Sequence, residues 1–268
     1  MTETEKRNAG SMHFDRMETL DMVRLMNEEN ARSVRAVGAA EREIAEAVEA
    51  VAAAFGAGGR LFYVGAGTSG RLAVVDASEC PPTFGVDPSC VTAVMAGGER
   101  AITHAAENIE DNADAGARDL LSQSPQSRDV VMGVSASGGA AYVIGAMKAA
   151  KELGCVTISL SSVGDCPMSR LADIAIFTDT GAEVITGSTR LKAGNAQKMV
   201  LNMITTCAMA KTGKVYENLM INLRPTNKKL RNRMIRIVST LKNVDEATAE
   251  ALLDAHGFNI RRVMEETQ

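Results

Sequence analysis

The chain has 268 residues, 46% of them hydrophobic, which is ample for one good core and fits one large domain or a domain with a small appendage. Its formal net charge is −4, its pI is about 5.6 and it has no lysine- or arginine-rich run, which argues against nucleic acid and acidic membrane surfaces as partners. Cys80, Cys90, Cys155, Cys166 and Cys207 show no C-x-x-C spacing and the histidines are scattered, so reduced thiols are expected rather than a disulfide framework or a metal centre.

The opening "MTETEKRNAG" is polar and offers no apolar core of a signal peptide, and no stretch approaches the roughly 20 apolar residues of a membrane span; a cytoplasmic protein is expected. Residues 17–55 read as helical, with Ile44, Val48, Val51 and Phe55 at helical spacing before "GAGG" stops the run. "RLFYVGAG" is then a short apolar run ending in glycines, as a buried parallel strand would be. The pattern repeats: "CVTAVMAGG" (90–98) precedes the helical "ERAITHAAENIEDNADAGARDLL", and "DVVMGVSASGG" (129–139) precedes "AAYVIGAMKAAKELG". "CVTISLSS" (155–162) and "IAIFTDTG" (174–181) supply two further strands, and residues 187–213 a long helix. Beyond Pro225 the chain is basic and helical, with a glycine turn at Gly257. Strands alternating with helices predict an α/β fold, a doubly wound parallel five-stranded sheet flanked by helices, with a small helical C-terminal appendage. The expected divisions are 1–55, a helical segment packing on the core; 56–225, the sheet domain; and 226–268, the helical C-terminal region.

Ligands of parallel α/β sheets sit beyond the carboxyl ends of the strands. Two strand ends here carry glycine with hydroxyl residues, "GAGTSG" (65–70) and "SASGG" (135–139), each followed by a helix whose first N–H groups are free. Gly67 lets the backbone approach an anion, and Thr68, Ser69, Ser135 and Ser137 can donate to phosphate oxygens. One such loop alone is equally well an ordinary capped turn, and "GAGTSG" superficially matches the dinucleotide fingerprint, but the second serine loop favours a phosphomonoester. Ser188, Arg190 and Lys192 stand at a helix start, suited to an anion or simply a charged helix end. Glu107 and Glu110 are three apart and so expected on one helix face, which a solvated acidic surface also explains. Glu79 lies nine residues past Gly70, roughly 14 Å along a helix, so it serves a remote part of the ligand or a facing subunit, unless it is a solvated helix-end carboxylate.

At "GAGTSGRLAVVDASECPPTFG" the chain resembles the N-acetylmuramic acid 6-phosphate etherases of the sugar isomerase (SIS) superfamily. The likeness continues through "AGGERAITHAAENIEDNADAG", "GAEVITGSTRLKAGNAQKMVLNM" and "KTGKVYENLM", and covers most of residues 11–225. The resemblance implies a SIS-type sheet domain acting on a sugar phosphate, as a homodimer, without metal or organic cofactor. It implies cleavage of the lactyl ether by elimination followed by water addition. Glu79 would protonate the departing lactate oxygen, Glu110 would be the second acid–base residue, and the hydroxyl loops would hold the 6-phosphate. One stretch departs: where the family usually reads "ASGRTPYV", this chain has Gly139 and Ala140 in place of the arginine and threonine. A lost charged hydrogen bond would weaken anion binding by about 1.5–3 kcal/mol. A non-catalytic sensor similar to the glucokinase regulatory protein, or a phosphosugar isomerase of the same fold, are the rival readings; the "SECPPT" carboxylate favours the etherase.

Overall fold

The computed structural model describes residues 3–104, 109–223, 225 and 228–265. After three short 3-10 turns the chain forms two helices, α1 (Thr19–Ala39) and α2 (Glu41–Gly56), where the sequence suggested one. The break is at Ala40, whose φ/ψ of −105°/14° leaves the helical region and whose N–H folds back onto Val37 O. Ala40 is buried there, so the bend is packed and not frayed.

Five strands follow, β1 (Leu61–Gly65), β2 (Val91–Met95), β3 (Val130–Val134), β4 (Val156–Ser161) and β5 (Ile174–Phe177), all parallel and ordered β2-β1-β3-β4-β5. Every residue of β1 and β3 is buried, because helices cover both faces of the sheet; that is why these strands read as continuous apolar runs. Between them come α3 (Gly67–Phe84), the short α4 (Arg100–Thr103), α5 (Ala113–Ser122), α6 (Ala141–Glu152) and α7 (Pro167–Leu171), with α8 (Lys192–Lys211) after the sheet. On one face, Phe62, Val64, Val94 and Val131 pack against Leu120 of α5 and Val143 and Met147 of α6. Helices α5 and α6 approach so closely that a Cβ on Gly116 would stand 1.8 Å from Tyr142 O, and one on Gly145 2.0 Å from Ala113 O. On the other face, the Tyr63 hydroxyl donates to Asp76 Oδ2 of α3 at 2.9 Å, and Asn202 of α8 donates to Oδ1 at 2.5 Å. Burial holds the Asp76 carboxyl above its ordinary range despite these donors and Thr205.

One expectation needs correction. The helix predicted from Glu99 to Leu121 is interrupted: α4 ends at His104, which is extended (φ −121°, ψ 142°), and α5 restarts where Asn112 caps Ala115 N–H. Glu110 therefore lies in a turn and not on a helix; Glu107, expected on the same face, lies outside the described residues. Pro81 and Pro82 stand inside α3, which runs on to Phe84 and stops at Gly85, which takes φ +67° and donates to Pro81 O.

The chain divides into two compact units, Met1–Ala77 with Ser89–Ala208, and Ser78–Pro88 with Met209–Gln268. The second contains a short antiparallel hairpin, β6 (Val215–Tyr216) and β7 (Leu219–Met220), and three helices, α9 (Lys228–Lys242), α10 (Glu246–Ala255) and α11 (Ile260–Glu265). Its core gathers Met234, Ile235, Val238, Ala249, Leu253, Ile260 and Val263. Asp245 caps α10 through Thr248 N–H, and Arg231 stacks on the Phe258 ring while pairing with Glu250. Among the described residues no helix is long and apolar enough to cross a membrane.

Candidate active site

The strand order determines where a ligand can enter. From β1 the chain moves outward to β2, then returns across β1 to begin β3, so the order reverses between β1 and β3. In this 2-1-3-4-5 arrangement the crevice lies at that point, beyond the carboxyl ends of the two strands. Gly65 is in register with Val134, so the turns after them leave the sheet side by side, about 4.8 Å apart. These are the two hydroxyl-bearing turns.

The first turn is built by glycines. A Cβ on Gly65 would lie 2.7 Å from Gly70 N, and one on Gly70 would lie 2.8 Å from Met95 Cγ and 2.9 Å from Gly65 O, so the chain folds back on itself only without side chains there. Gly67 takes φ +54° with no atom within 4 Å of a would-be Cβ, leaving open space above it. Gly70 N–H bonds to Ala66 O, while the amides before it start α3 with no carbonyl one turn back. Thr68 is half-buried and Ser69 buried. Both face the start of α8: a Cβ on Gly194 would be 3.5 Å from Thr68 Cγ2, and Ser69 donates to Gln197 Oε1 at 2.9 Å. Thr68 also lines a cleft of about 390 Å³ with Asn30, Ser33, Arg190 and Lys198.

The second turn is fastened from below. Ser135 N–H donates to Leu160 O, Ser162 N–H to Ala136 O and Met168 N–H to Gly138 O. Gly138 takes φ +67° where a Cβ would be 2.2 Å from Cys166 Sγ. Ser135 is buried with its Oγ 3.4 Å from Ser137 Oγ, and Ser137 is exposed and accepts from Gly139 N–H. Helix α6 starts just beyond, and its Tyr142 N–H donates to Glu110 O at 2.8 Å. That bond brings the Glu110 turn to the same end of α6 as the serine turn, with the Glu110 side chain exposed. Tyr142 is anchored in turn on Asp119, and burial together with that carboxylate holds its phenol above the ordinary range.

The strand register thus sets Gly67, Thr68 and Ser69 beside Ser135 and Ser137, and the Glu110 carbonyl holds the start of α6; Ser188 stands in the turn leading into α8, with no hydrogen bond to these residues among those described. Lys192 is placed differently. It is 1% exposed, and its ammonium is bound by Glu29 of α1 and by Ala182 O at 2.5 Å. Glu183, fully buried, accepts the Lys192 and Ala193 amides at 3.1 and 3.0 Å and so caps α8; burial raises its pKa against those two bonds. Glu79 is exposed on α3 in the stretch Ser78–Pro88, which belongs to the second unit. The sequence alone does not single out Gln197; its signal is a polar residue among the buried Ala193, Ala196, Val200 and Leu201 of α8.

Comparison with known proteins bears on the fold and on the family. Residues 43–151 match the family model of the glucokinase regulatory protein N-terminal SIS domain. A phosphoheptose isomerase from Francisella tularensis superimposes with a TM-score of 0.54 at 19% identity, over 74% of this chain and 100% of that one. A protein of Escherichia coli CFT073 does so with a TM-score of 0.53 at 16% identity, over 72% and 93%. At such identities these two bear on the fold alone: a SIS-type parallel sheet domain. The N-acetylmuramic acid 6-phosphate etherase of Klebsiella aerogenes is 50% identical over 254 residues, 95% of this chain and 85% of that one. That of Edwardsiella ictaluri is 51% identical over 251 residues, 94% and 84%. The chain belongs to the N-acetylmuramic acid 6-phosphate etherase family.

Proposed function

We propose that this chain is a carbon–oxygen lyase that cleaves the lactyl ether of N-acetylmuramic acid 6-phosphate with water, giving N-acetylglucosamine 6-phosphate and D-lactate in the recycling of cell-wall amino sugar. The observation that carries this is the 50% identity to an enzyme of that name over 95% of the chain. Two glycine and hydroxyl turns side by side at the switch point of the sheet support it as a place for the 6-phosphate. On this reading Gly67, Thr68, Ser69, Ser135 and Ser137 hold the phosphate, while Glu107 and Ser188 contact the substrate.

The chemistry then runs in two halves. After ring opening, a base takes the proton at carbon 2, the carbon 2–carbon 3 double bond forms, and the carbon 3–oxygen bond breaks as an acid protonates the lactate oxygen. Water next adds at carbon 3 and the proton returns to carbon 2. Glu79 is the acid for the departing lactate and Glu110 the second acid–base residue. No step calls for a metal or an organic cofactor. The enzyme works as a cytoplasmic homodimer, with sites near the interface.

The match to a regulatory protein's SIS domain favours one other reading, a sensor that binds the sugar phosphate without turnover. Lactate release from N-acetylmuramic acid 6-phosphate decides between them. Stoichiometric lactate and N-acetylglucosamine 6-phosphate are expected; saturable binding with no lactate would establish the sensor.

The departure at Gly139 and Ala140 also has a measurable consequence. A Cβ on Gly139 would meet only Ser137 Oγ, at 3.7 Å, so the position accepts a side chain. Ala140 is the N-cap of α6 and gives it no side-chain bond. Gly139→Arg is expected to lower KM about tenfold or more by adding a charged donor beside the serine turn. Ala140→Thr is expected to stabilise the fold by roughly 0.5–2 kcal/mol through the missing cap. An unchanged KM in the arginine variant would mean that the phosphate does not reach this turn.

A further inference from the structure

Gln197 stands in α8 against the first turn of α3 and is 1% exposed. Its Oε1 accepts the Ser69 hydroxyl proton at 2.9 Å, while its Nε2 meets no hydrogen-bond partner among the described residues. A buried amide with idle N–H donors is rare, because such a group loses water without replacing it. Ser69 has a single hydroxyl proton, and in this arrangement that proton is turned into the protein. A phosphate arriving in the turn would meet only the oxygen's lone pairs, which repel it.

A half-turn of the Gln197 amide about its last bond reverses the contact. Nε2 then donates to Ser69 Oγ, which relieves the idle donor, and the Ser69 proton is released towards the turn. The carbonyl takes the unpaired position instead, which a buried structure tolerates more readily than an unpaired N–H. An anion favours this second orientation, since the freed Ser69 hydroxyl donates a hydrogen bond to it. Serine alone lacks such a guide: its hydroxyl rotates freely.

We infer that Gln197 is a positioning residue that aims the Ser69 hydroxyl at the phosphate of the substrate. It rests on the α3 turn being the phosphate site, as proposed above.

The test is a mutant cycle on KM for N-acetylmuramic acid 6-phosphate, with inorganic phosphate as a competing probe and thermal unfolding as a check on folding. Ser69→Ala is expected to raise KM about tenfold to a hundredfold with little change in kcat, as loss of one bond to a charged group should. Gln197→Leu is expected to do the same in the wild type, but to add less than about threefold in the Ser69→Ala background, because the two act as one unit. Gln197→Glu is expected to be the worst single change. Its carboxylate can only accept, so it holds the Ser69 proton in the protein and also repels phosphate. Gln197→Met carries the same prediction as Gln197→Leu should the glutamate variant not fold. If Gln197→Leu multiplies fully with Ser69→Ala, Gln197 acts independently of the hydroxyl and the inference is overturned. If Ser69→Ala alone leaves both KM and phosphate inhibition unchanged, the phosphate reading of the turn fails, whatever Gln197 does.

Discussion

Glu79→Gln and Glu110→Gln are each expected to reduce lactate release by about 10²–10⁴-fold, the usual contribution of a positioned acid or base. Neither change should disturb folding. Both side chains are exposed, and the bond that pins the Glu110 turn uses its backbone carbonyl, which glutamine retains. Unfolding temperatures within a degree or two of wild type would therefore leave the lost rate as a chemical effect.

The two variants should also differ from each other. If Glu110 handles the proton at carbon 2 and Glu79 the lactate oxygen, Glu79→Gln should still exchange that proton with deuterated water while releasing almost no lactate. Glu110→Gln should lose both. Exchange in the second variant but not the first would reverse the roles. The facing-subunit reading of Glu79 has its own readout. Mixing the two inactive variants under conditions that exchange subunits should restore about a quarter of the wild-type rate if each site of a two-fold dimer takes one glutamate from each protomer. No recovery would place both glutamates on one protomer.

Much of this was legible in the sequence, for a definite reason. Strands covered on both faces are apolar throughout, so "LFYVG" and "VVMGV" stand out as blocks, and the glycines after them announce the turns. What escaped detection depends on partners far away in the chain. Ser69 meets Gln197 128 positions later, and Lys192 meets Glu29 163 positions earlier. No window along the chain contains either pair. The α4–α5 break escaped for a more local reason: "HAAENIEDNADAG" is rich in alanine and glutamate, and Asn112, which caps the restart, is one of several capping-type residues there, with Asn108, Asp111 and Asp114.

Lys192 shows how such a distant partner changes the meaning of a residue. Read in sequence, a lysine at a helix start beside Ser188 and Arg190 is suited to an anion. In the fold its ammonium is bound to Glu29, whose second partners are the Asn8 amide at 2.9 Å and Arg32 at 3.3 Å, and both members of the pair are almost fully buried. Removing one side of such a pair leaves the other charge in a poor solvent. Lys192→Met keeps the length of the side chain and drops the charge, so it is expected to cost about 3–5 kcal/mol. For a protein of this size that lowers the unfolding temperature by roughly 6–20 °C. Adding Glu29→Gln should recover most of the loss, since the stranded carboxylate is then gone while Asn8 and Ala182 O keep neutral partners within reach. Measured well below the unfolding temperature, the single variant should retain a KM within about threefold of wild type if the lysine supports the start of α8 and does not touch substrate. A KM raised a hundredfold with unfolding unchanged would mean the opposite. The ion pair would then open to bind phosphate, and Glu29 would be the group that gives the lysine up.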